Sequence, residues 1–300
     1  MITCSGRGPW AAALALTAAL LSLVLAHPAA ARPPHPPEAA MSGAGPSAAA
    51  AEPVAVTGMI GTYNIYGNVG HRGDAGTWIE EEAERLHAIA PPGGWFSLAL
   101  QEVCHNQGAA LAAATGMHGT FYDTGVTCAN GERYGNVILT RSAPLRTHTY
   151  TFPTQTGREE KRGAVCAVFP AILGEVVTCS VHLESGSEEV RAAQAAELMA
   201  WQPGGRPFED YAAALIGGDL NAEPHHATVT PLYQAAEEAD GPRDAWRHAT
   251  HDDGRKLDYL FTTGTSSNTH WRTTATTAVA TPHSDHLIYA SRLDCTLCLV

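Results

Sequence analysis

Short apolar runs that end on a polar residue recur through this chain, and Leu215-Ile216-Gly217-Gly218-Asp219-Leu220-Asn221 is the clearest of them. Read as a buried strand, the run sends Asp219 and Asn221 off its carboxyl end on the same side, because strand side chains alternate with period two. Read as a turn, Gly-Gly-Asp and Asn need no further explanation. The same ending recurs at Asn64, Glu102, His182, Asp258 and the triplet Ser284-Asp285-His286. A merely acidic surface scatters its charges over helix faces, whereas these residues fall where strands end. Asp258 is the most demanding, because an acid inside Leu257-Asp258-Tyr259-Leu260-Phe261 costs energy unless it is paired. Asp285-His286, set before Leu287-Ile288, raises the same demand, and one partnership answers both.

Two helical patterns stand among the strands. Over Thr77 to Ala90, Trp78, Ile79, Ala83, Leu86 and Ile89 share a face, and Glu80, Glu81, Glu82 and Glu84 are expected to face out. Glu188 to Trp201 is the second, with Ser187 as its N-cap and Pro203-Gly204-Gly205 as its stop. A short helix is also expected over Leu111 to Thr115. Expected strands are Val56 to Ile65, Trp95 to Leu100, Val137 to Leu139, Ala164 to Phe169, Glu175 to Leu183, Tyr211 to Ile216, Leu257 to Thr262, Trp271 to Thr277 and Leu287 to Ala290. Few helices among many strands point to an α/β sandwich built on sheets rather than to a repeated βαβ chain.

The N-terminus reads as an export signal. Arg7 is a weak basic n-region, Ala11 to Leu25 an apolar h-region, and Ala29-Ala30-Ala31 a small-residue cleavage site. Residues 1–31 are therefore expected to be a signal peptide, 32–53 a Pro/Ala-rich linker and 54–300 the folded domain, secreted and without a stable membrane span. Cleavage shifts the formal charge from −12 to −13, because Arg7 leaves and no acid does. That acidity argues against a broad basic footprint for nucleic acid but not against a local basic rim. Cleavage also removes Cys4 and leaves six of the 7 cysteines, an even count that favours disulfides in an exported protein.

The polar strand ends resemble the motifs of the endonuclease/exonuclease/phosphatase (DNase I-like) superfamily, in that family's order. They are Thr62-Tyr63-Asn64, Leu100-Gln101-Glu102-Val103, Tyr134-Gly135-Asn136-Val137-Ile138-Leu139, Val181-His182-Leu183, Gly218-Asp219-Leu220-Asn221, Leu257-Asp258-Tyr259 and Ser284-Asp285-His286. The resemblance spans roughly Val56 to Ser291 and points to a secreted bacterial member. It implies a four-layer α/β/β/α sandwich and divalent-metal hydrolysis of a phosphoester. It implies Glu102 as a hard oxygen ligand with Asn64 and Asp285 beside it, for Mg²⁺ or else Mn²⁺ or Ca²⁺. His182, Asp219, Asn221, Asp258 and His286 are implied as the catalytic set. Within it Asp258 orients His286, His286 or Asp219 activates water, Asn221 orients the phosphate or Asp219, and His182 donates to a phosphate oxygen. The glycines before Asp219 are expected to make room for the phosphate. DNase-type members carry a glutamate where this chain has Tyr134, so Tyr134 is assigned to substrate contact instead. Arg162 belongs to the basic cluster Arg141, Arg158, Lys161 and Arg162, which either attracts the phosphate or is a solvated loop.

Cys166 and Cys179 sit about equally far from the turn of one expected hairpin, which suits a cross-strand bridge. Cys104–Cys128 and Cys295–Cys298 complete one of fifteen possible pairings, with a zinc site as the alternative for the last pair. His225-His226 reads as a solvated loop pair, or else as cleft lining. The substrate is a nucleic acid for a nuclease or phosphodiesterase, or a lipid or small phosphoester for a sphingomyelinase-like enzyme or inositol-phosphate-type phosphatase, acted on by a monomer. A non-catalytic binding module is disfavoured, because every expected chemical residue is present.

Overall fold

Two parallel strand pairs, each connected through a helix, organise the chain. The computed structural model describes residues 57–91, 94–171, 174–263 and 271–295. The expected signal peptide and linker, and Cys298, lie outside these residues. The first part holds β1 (Gly58–Asn64), α1 (Trp78–Ile89), β2 (Trp95–Cys104), α2 (His105–Thr115), β3 (His118–Thr127) and β4 (Arg133–Thr140). Next come β5 (Arg146–Thr151), β6 (Gly163–Ala171), β7 (Gly174–His182), α3 (Glu188–Ala200) and β8 (Ala213–Asp219). The last part holds α4 (Thr230–Ala235), β9 (Glu237–Glu238), β10 (Asp258–Thr263), β11 (Trp271–Val279) and β12 (Ile288–Cys295).

The first sheet has the order β11-β12-β1-β2-β4-β3 and the second β5-β6-β7-β8-β10-β9. β1 and β2 are parallel, as are β7 and β8, and the other neighbours are antiparallel. Three apolar cores separate four layers. Leu86, Leu98, Leu111 and Val137 pack between the first sheet and its helices, and Ile60, Ala99, Val165 and Leu260 pack between the sheets. Val168, Val181, Leu198 and Ile216 pack between the second sheet and α3. A few polar contacts cross the middle core, including Thr178 Oγ1 to Ser97 Oγ at 2.9 Å and Gln101 Nε2 to Ser180 Oγ at 3.0 Å. They fix the register of one sheet over the other, because a buried polar group tolerates little misplacement. A buried ion cluster ties the sheets elsewhere. Lys256 Nζ lies 3.4 Å from Glu238 and 3.6 Å from Asp240, and Tyr289 Oη on β12 donates to Glu238 on β9 at 3.0 Å.

Several elements depart from the sequence expectation. Trp78, Ile79, Ala83 and Leu86 are buried along α1, but so is Glu82, which was expected to face out. Its Oε1 accepts a hydrogen bond from Thr281 at 2.6 Å, and burial raises its pKa. α2 starts at His105, six residues before the expected Leu111, and Gln107 Oε1 closes its first turn by accepting from Cys104 N at 3.0 Å. β3 and β5 were not expected at all; β5 is a polar edge strand with no apolar run to signal it. β8 begins later than expected and continues through both glycines to Asp219. The Cys104–Cys128 and Cys166–Cys179 disulfides are present, the latter joining residues paired directly across β6 and β7. Cys295 closes β12, and its expected partner Cys298 lies outside the described residues. Among the described residues no helix is long and apolar enough to cross a membrane.

Candidate active site

Strand register brings the motif residues to one edge of the paired sheets. His182 ends β7 opposite Asp219, the last residue of β8, and Asp219 pairs in turn with Asp258, the first residue of β10. Three neighbouring strands thus place three polar side chains in one row. On the first sheet, Asn64 ends β1 beside Gln101 of β2, and the β2–β4 register breaks between Leu100 and Val103. Inside that bulge Glu102 adopts a left-handed φ of 58°. A glutamate holds this conformation only where surrounding contacts enforce it, and here Gly67 N donates to Glu102 O at 3.0 Å. The bulge separates two adjacent polar residues. Gln101 turns between the sheets, and Glu102 turns to the edge.

Asp219 is the centre of the cluster. Its Oδ2 accepts from Asn64 Nδ2 at 3.1 Å and lies 3.5 Å from His182 Nε2 and 3.7 Å from His286 Nε2. Its Oδ1 accepts from Asn221 N at 2.8 Å. Asn64 Nδ2 also donates to Glu102 Oε1 at 3.1 Å, so one carboxamide joins carboxylates from both sheets. His286 Nδ1 lies 2.8 Å from Asp258 Oδ2, and both side chains are buried. Thr250 Oγ1 accepts from Asp258 N at 2.9 Å, while Ser284 Oγ accepts from His286 N at 3.0 Å and donates to Asn64 O at 2.7 Å. The Ser-Asp-His segment is thereby anchored to the end of β1.

The electrostatics separate the two histidines. Burial and the neighbouring Arg162 guanidinium hold His182 well below the usual imidazole range. Burial alone would lower His286 too, but the charges of Asp258 and Asp219 and the Asp258 hydrogen bond push it up to about 10. Burial raises the pKa of Glu102, and the nearby Asp219 charge adds to that rise. Burial likewise raises Asp219, against the pull of His286. These carboxylates crowd one another, and Asp258 Oδ1 has no hydrogen-bond partner. An oxygen-rich, anionic cluster with an unpartnered oxygen fits a hard divalent cation; one oxygen each from Asp219 and Asp258 and a nitrogen of His286 lie within 4.8 Å of one another.

Other expected site residues fall in less expected places. The two glycines before Asp219 lie within the sheet packing. A Cβ on Gly217 would meet Ala99 of the other sheet at 2.9 Å, and one on Gly218 would meet the Val181 carbonyl at 2.2 Å. They let strands and sheets approach. Asn221 has a left-handed φ of 49°, which breaks the strand alternation, and its Nδ2 donates to Leu183 O at 3.1 Å. Asn64 presents its nitrogen to the carboxylates of Glu102 and Asp219 while its Oδ1 accepts from Tyr66 N at 3.1 Å. Asp285 Oδ2 lies 3.7 Å from His251 Nε2. Arg162 is buried, not a solvated loop residue: its Nη1 lies 2.6 and 2.9 Å from the ring nitrogens of His182 and 3.1 Å from Glu160. Burial and the Glu102 charge raise the Tyr134 phenol well above its ordinary pKa. His251 escaped the sequence reading. It lies in a loop without an apolar run, and a lone backbone bridge to His286 brings it in, with ring centroids 4.8 Å apart. A pocket of about 530 Å³ lined by Tyr233, Glu238, Asp240 and Arg247, among others, contains none of the motif residues.

The Endonuclease/Exonuclease/phosphatase family matches residues 61–286, and the chain belongs to that family of phosphoester hydrolases. The catalytic domain of human Nocturnin with bound sulfate is similar to it with 17% identity and a TM-score of 0.64, covering 80% of this chain and 94% of that one. Bacteroides thetaiotaomicron mannosyl-6-phosphatase shares 13% identity with a TM-score of 0.57, covering 79% and 99%. Truncated Caenorhabditis elegans TDP2 shares 18% identity with a TM-score of 0.55, covering 79% and 97%. No curated protein sequence matches the chain.

Proposed function

We propose that this chain is an exported, divalent-metal-dependent phosphodiesterase whose substrate is a nucleic acid, cleaved by in-line attack of water on phosphorus. The observation that carries the reading is the position of Asp219, between both histidines and tied through Asn64 to Glu102. Glu102 would hold Mg²⁺ with Asp285 near it, and the bound cation supplies charge neutralisation at the phosphate. Asp219, fixed through Asn221 N and Asn64 Nδ2, accepts the proton of the attacking water. His286, oriented by Asp258, presents an Nε2–H to the phosphate. His182 and Arg162 supply further donors where charge builds in the transition state. Charge balance favours a diester: the four carboxylates of Glu102, Asp219, Asp258 and Asp285 offset Arg162, the His286 imidazolium and one divalent cation, and a site of zero net charge takes a singly charged phosphate more readily than a dianion. Export, with residues 1–31 removed and 32–53 left as a linker before the domain, is supported by the N-terminal pattern and by the two disulfides.

The test is one panel with Mg²⁺: plasmid DNA, RNA, sphingomyelin and inositol phosphates, with Asp219→Ala as control. Nucleic acid cleavage that the control lacks is the expected result. Intact nucleic acid beside a cleaved lipid or inositol phosphate overturns the substrate.

A further inference from the structure

The loop after Asn221 carries a second group of ligating side chains that the proposed chemistry does not use. Glu223, His225 and His226 each direct one oxygen or nitrogen toward a common space, and these atoms lie within 4.8 Å of one another. The loop is held in that shape from behind. His226 N closes a turn onto Glu223 O at 3.0 Å. Arg243 donates to Pro224 O, to His226 O at 2.6 Å and to Thr230 Oγ1 at 3.1 Å. A fourth candidate comes from another element: Glu188, the first residue of α3, has Oε1 at 3.5 Å from His226 Nδ1. That nitrogen is shut off from solvent and has no hydrogen-bond partner.

A ring nitrogen closed to solvent and without a hydrogen-bond partner is uncommon, and this one faces the Glu188 carboxylate on a ring grouped with Glu223 and His225, which is a metal-ligand arrangement. The donor set decides the metal. Two imidazoles and one or two carboxylates are the ligands of tetrahedral zinc, while Mg²⁺ and Ca²⁺ take oxygen donors. Zinc bonds of about 2.1 Å require the Glu223, His225 and His226 atoms to close in by roughly an ångström, and the exposed Glu188 side chain to swing toward them from the start of α3. We propose that Glu223, His225 and His226, with Glu188 as the fourth ligand, form a zinc site separate from the catalytic cleft. Bound zinc staples the segment leaving β8 to the start of α3, the helix that follows β7. Those are the two strands that deliver Asp219 and His182, and Asn221 already links them through Leu183 O.

The test uses the full mature chain, stripped of metal and titrated with Co²⁺ in excess Mg²⁺. The expected result is one Co²⁺ equivalent with the intense visible absorption of a four-coordinate site, displaced by Zn²⁺. It should persist in Glu102→Gln and vanish in the double variant His225→Ala/His226→Ala, with the far-ultraviolet circular dichroism of each unchanged. Should the double variant misfold, His225→Gln alone should weaken Co²⁺ binding at least tenfold. An unchanged absorption in the histidine variants, or none in the wild-type chain, overturns the site and leaves His226–Glu188 as a simple ion pair.

Discussion

The two sheets present the same frame to the site and fill it differently. In the first, the stretch leading into β12 supplies His286, β1 ends at Asn64, β2 carries Glu102 and β4 carries Tyr134 as its second residue. In the second, Arg162 leads into β6, β7 ends at His182, β8 ends at Asp219 and β10 opens with Asp258. Strand directions match position by position: an antiparallel strand, a parallel pair, then another antiparallel strand. The first set contains one carboxylate, held in a strained bulge and partly open to solvent. The second contains a buried guanidinium and two buried carboxylates. A repeated backbone thus offers eight side-chain positions, and the sequence divides labour among them. In the proposed function Glu102, the half-exposed carboxylate of the first set, takes the cation, and Asp219, buried in the second, takes the proton where fixed charges act most strongly.

Substitutions at matching positions can break this contrast. Asp219→Asn should lower turnover by roughly 10³-fold or more, and no concentration of Mg²⁺ should restore it. Glu102→Gln should instead raise the Mg²⁺ requirement and recover much of its rate when the ion is in excess. Equal Mg²⁺ rescue of both would erase the proposed division.

The link between the sheets comes next in size. Lys256→Met leaves Glu238 and Asp240 buried without their cation and should cost about 3–5 kcal/mol in denaturant unfolding. The same variant has a pH signature. Burial opposes ionisation of Asp240, yet the His248 hydrogen bond and the Lys256 charge hold its pKa below the usual 3.8. Its contribution is therefore present above pH ~4 and lost as pH falls through the depressed value. Wild-type protein should resist acid further than Lys256→Met, and coincident acid transitions would argue against the pairing.

Arg162→Met should lower kcat/KM by about a hundredfold, the usual cost of one transition-state donor. Its positional counterpart is His286, so the ratio of the two losses measures how unlike the flanking strands are. The disulfides give the smallest contrast. Loop entropy alone assigns about 3.4 kcal/mol to Cys104–Cys128 and about 2.9 kcal/mol to Cys166–Cys179, from separations of 24 and 13 residues. Only the first packs against Tyr134. Alanine pairs at the two bridges should therefore differ little in melting but clearly in activity at the permissive temperature.

The legible parts of the molecule were those where burial forces a pattern. Apolar runs announced β1, β2, β7, β8 and β10, and a polar residue at or near one end of each marked the edge where the site residues gather, although Asp258 opens its strand rather than ending it. Asp258 was conspicuous because a charge in an apolar strand needs a partner. What stayed hidden was whatever depends on neighbours far away in sequence. β5 is polar because it lies at an edge, and Glu82 looked like one more outward acid until Thr281 reached it. His251 carries no local mark of its approach to His286. The glycines of β8 were read in terms of a ligand, when the opposing Ala99 and Val181 explain them. Asn221 defeated the period-two argument because one left-handed residue resets the direction of a side chain.

That reset has its sharpest form at Glu102. Glycine accepts a positive φ without strain, so Glu102→Gly should melt higher than wild type while needing still more Mg²⁺ than Glu102→Gln and losing activity at ordinary Mg²⁺ levels. A lineage or a library screened for heat resistance alone would drift to glycine there and yield sturdy, inert proteins. Persistence of glutamate at that bulge is thus a signature by which selection for turnover can be told apart from selection for endurance.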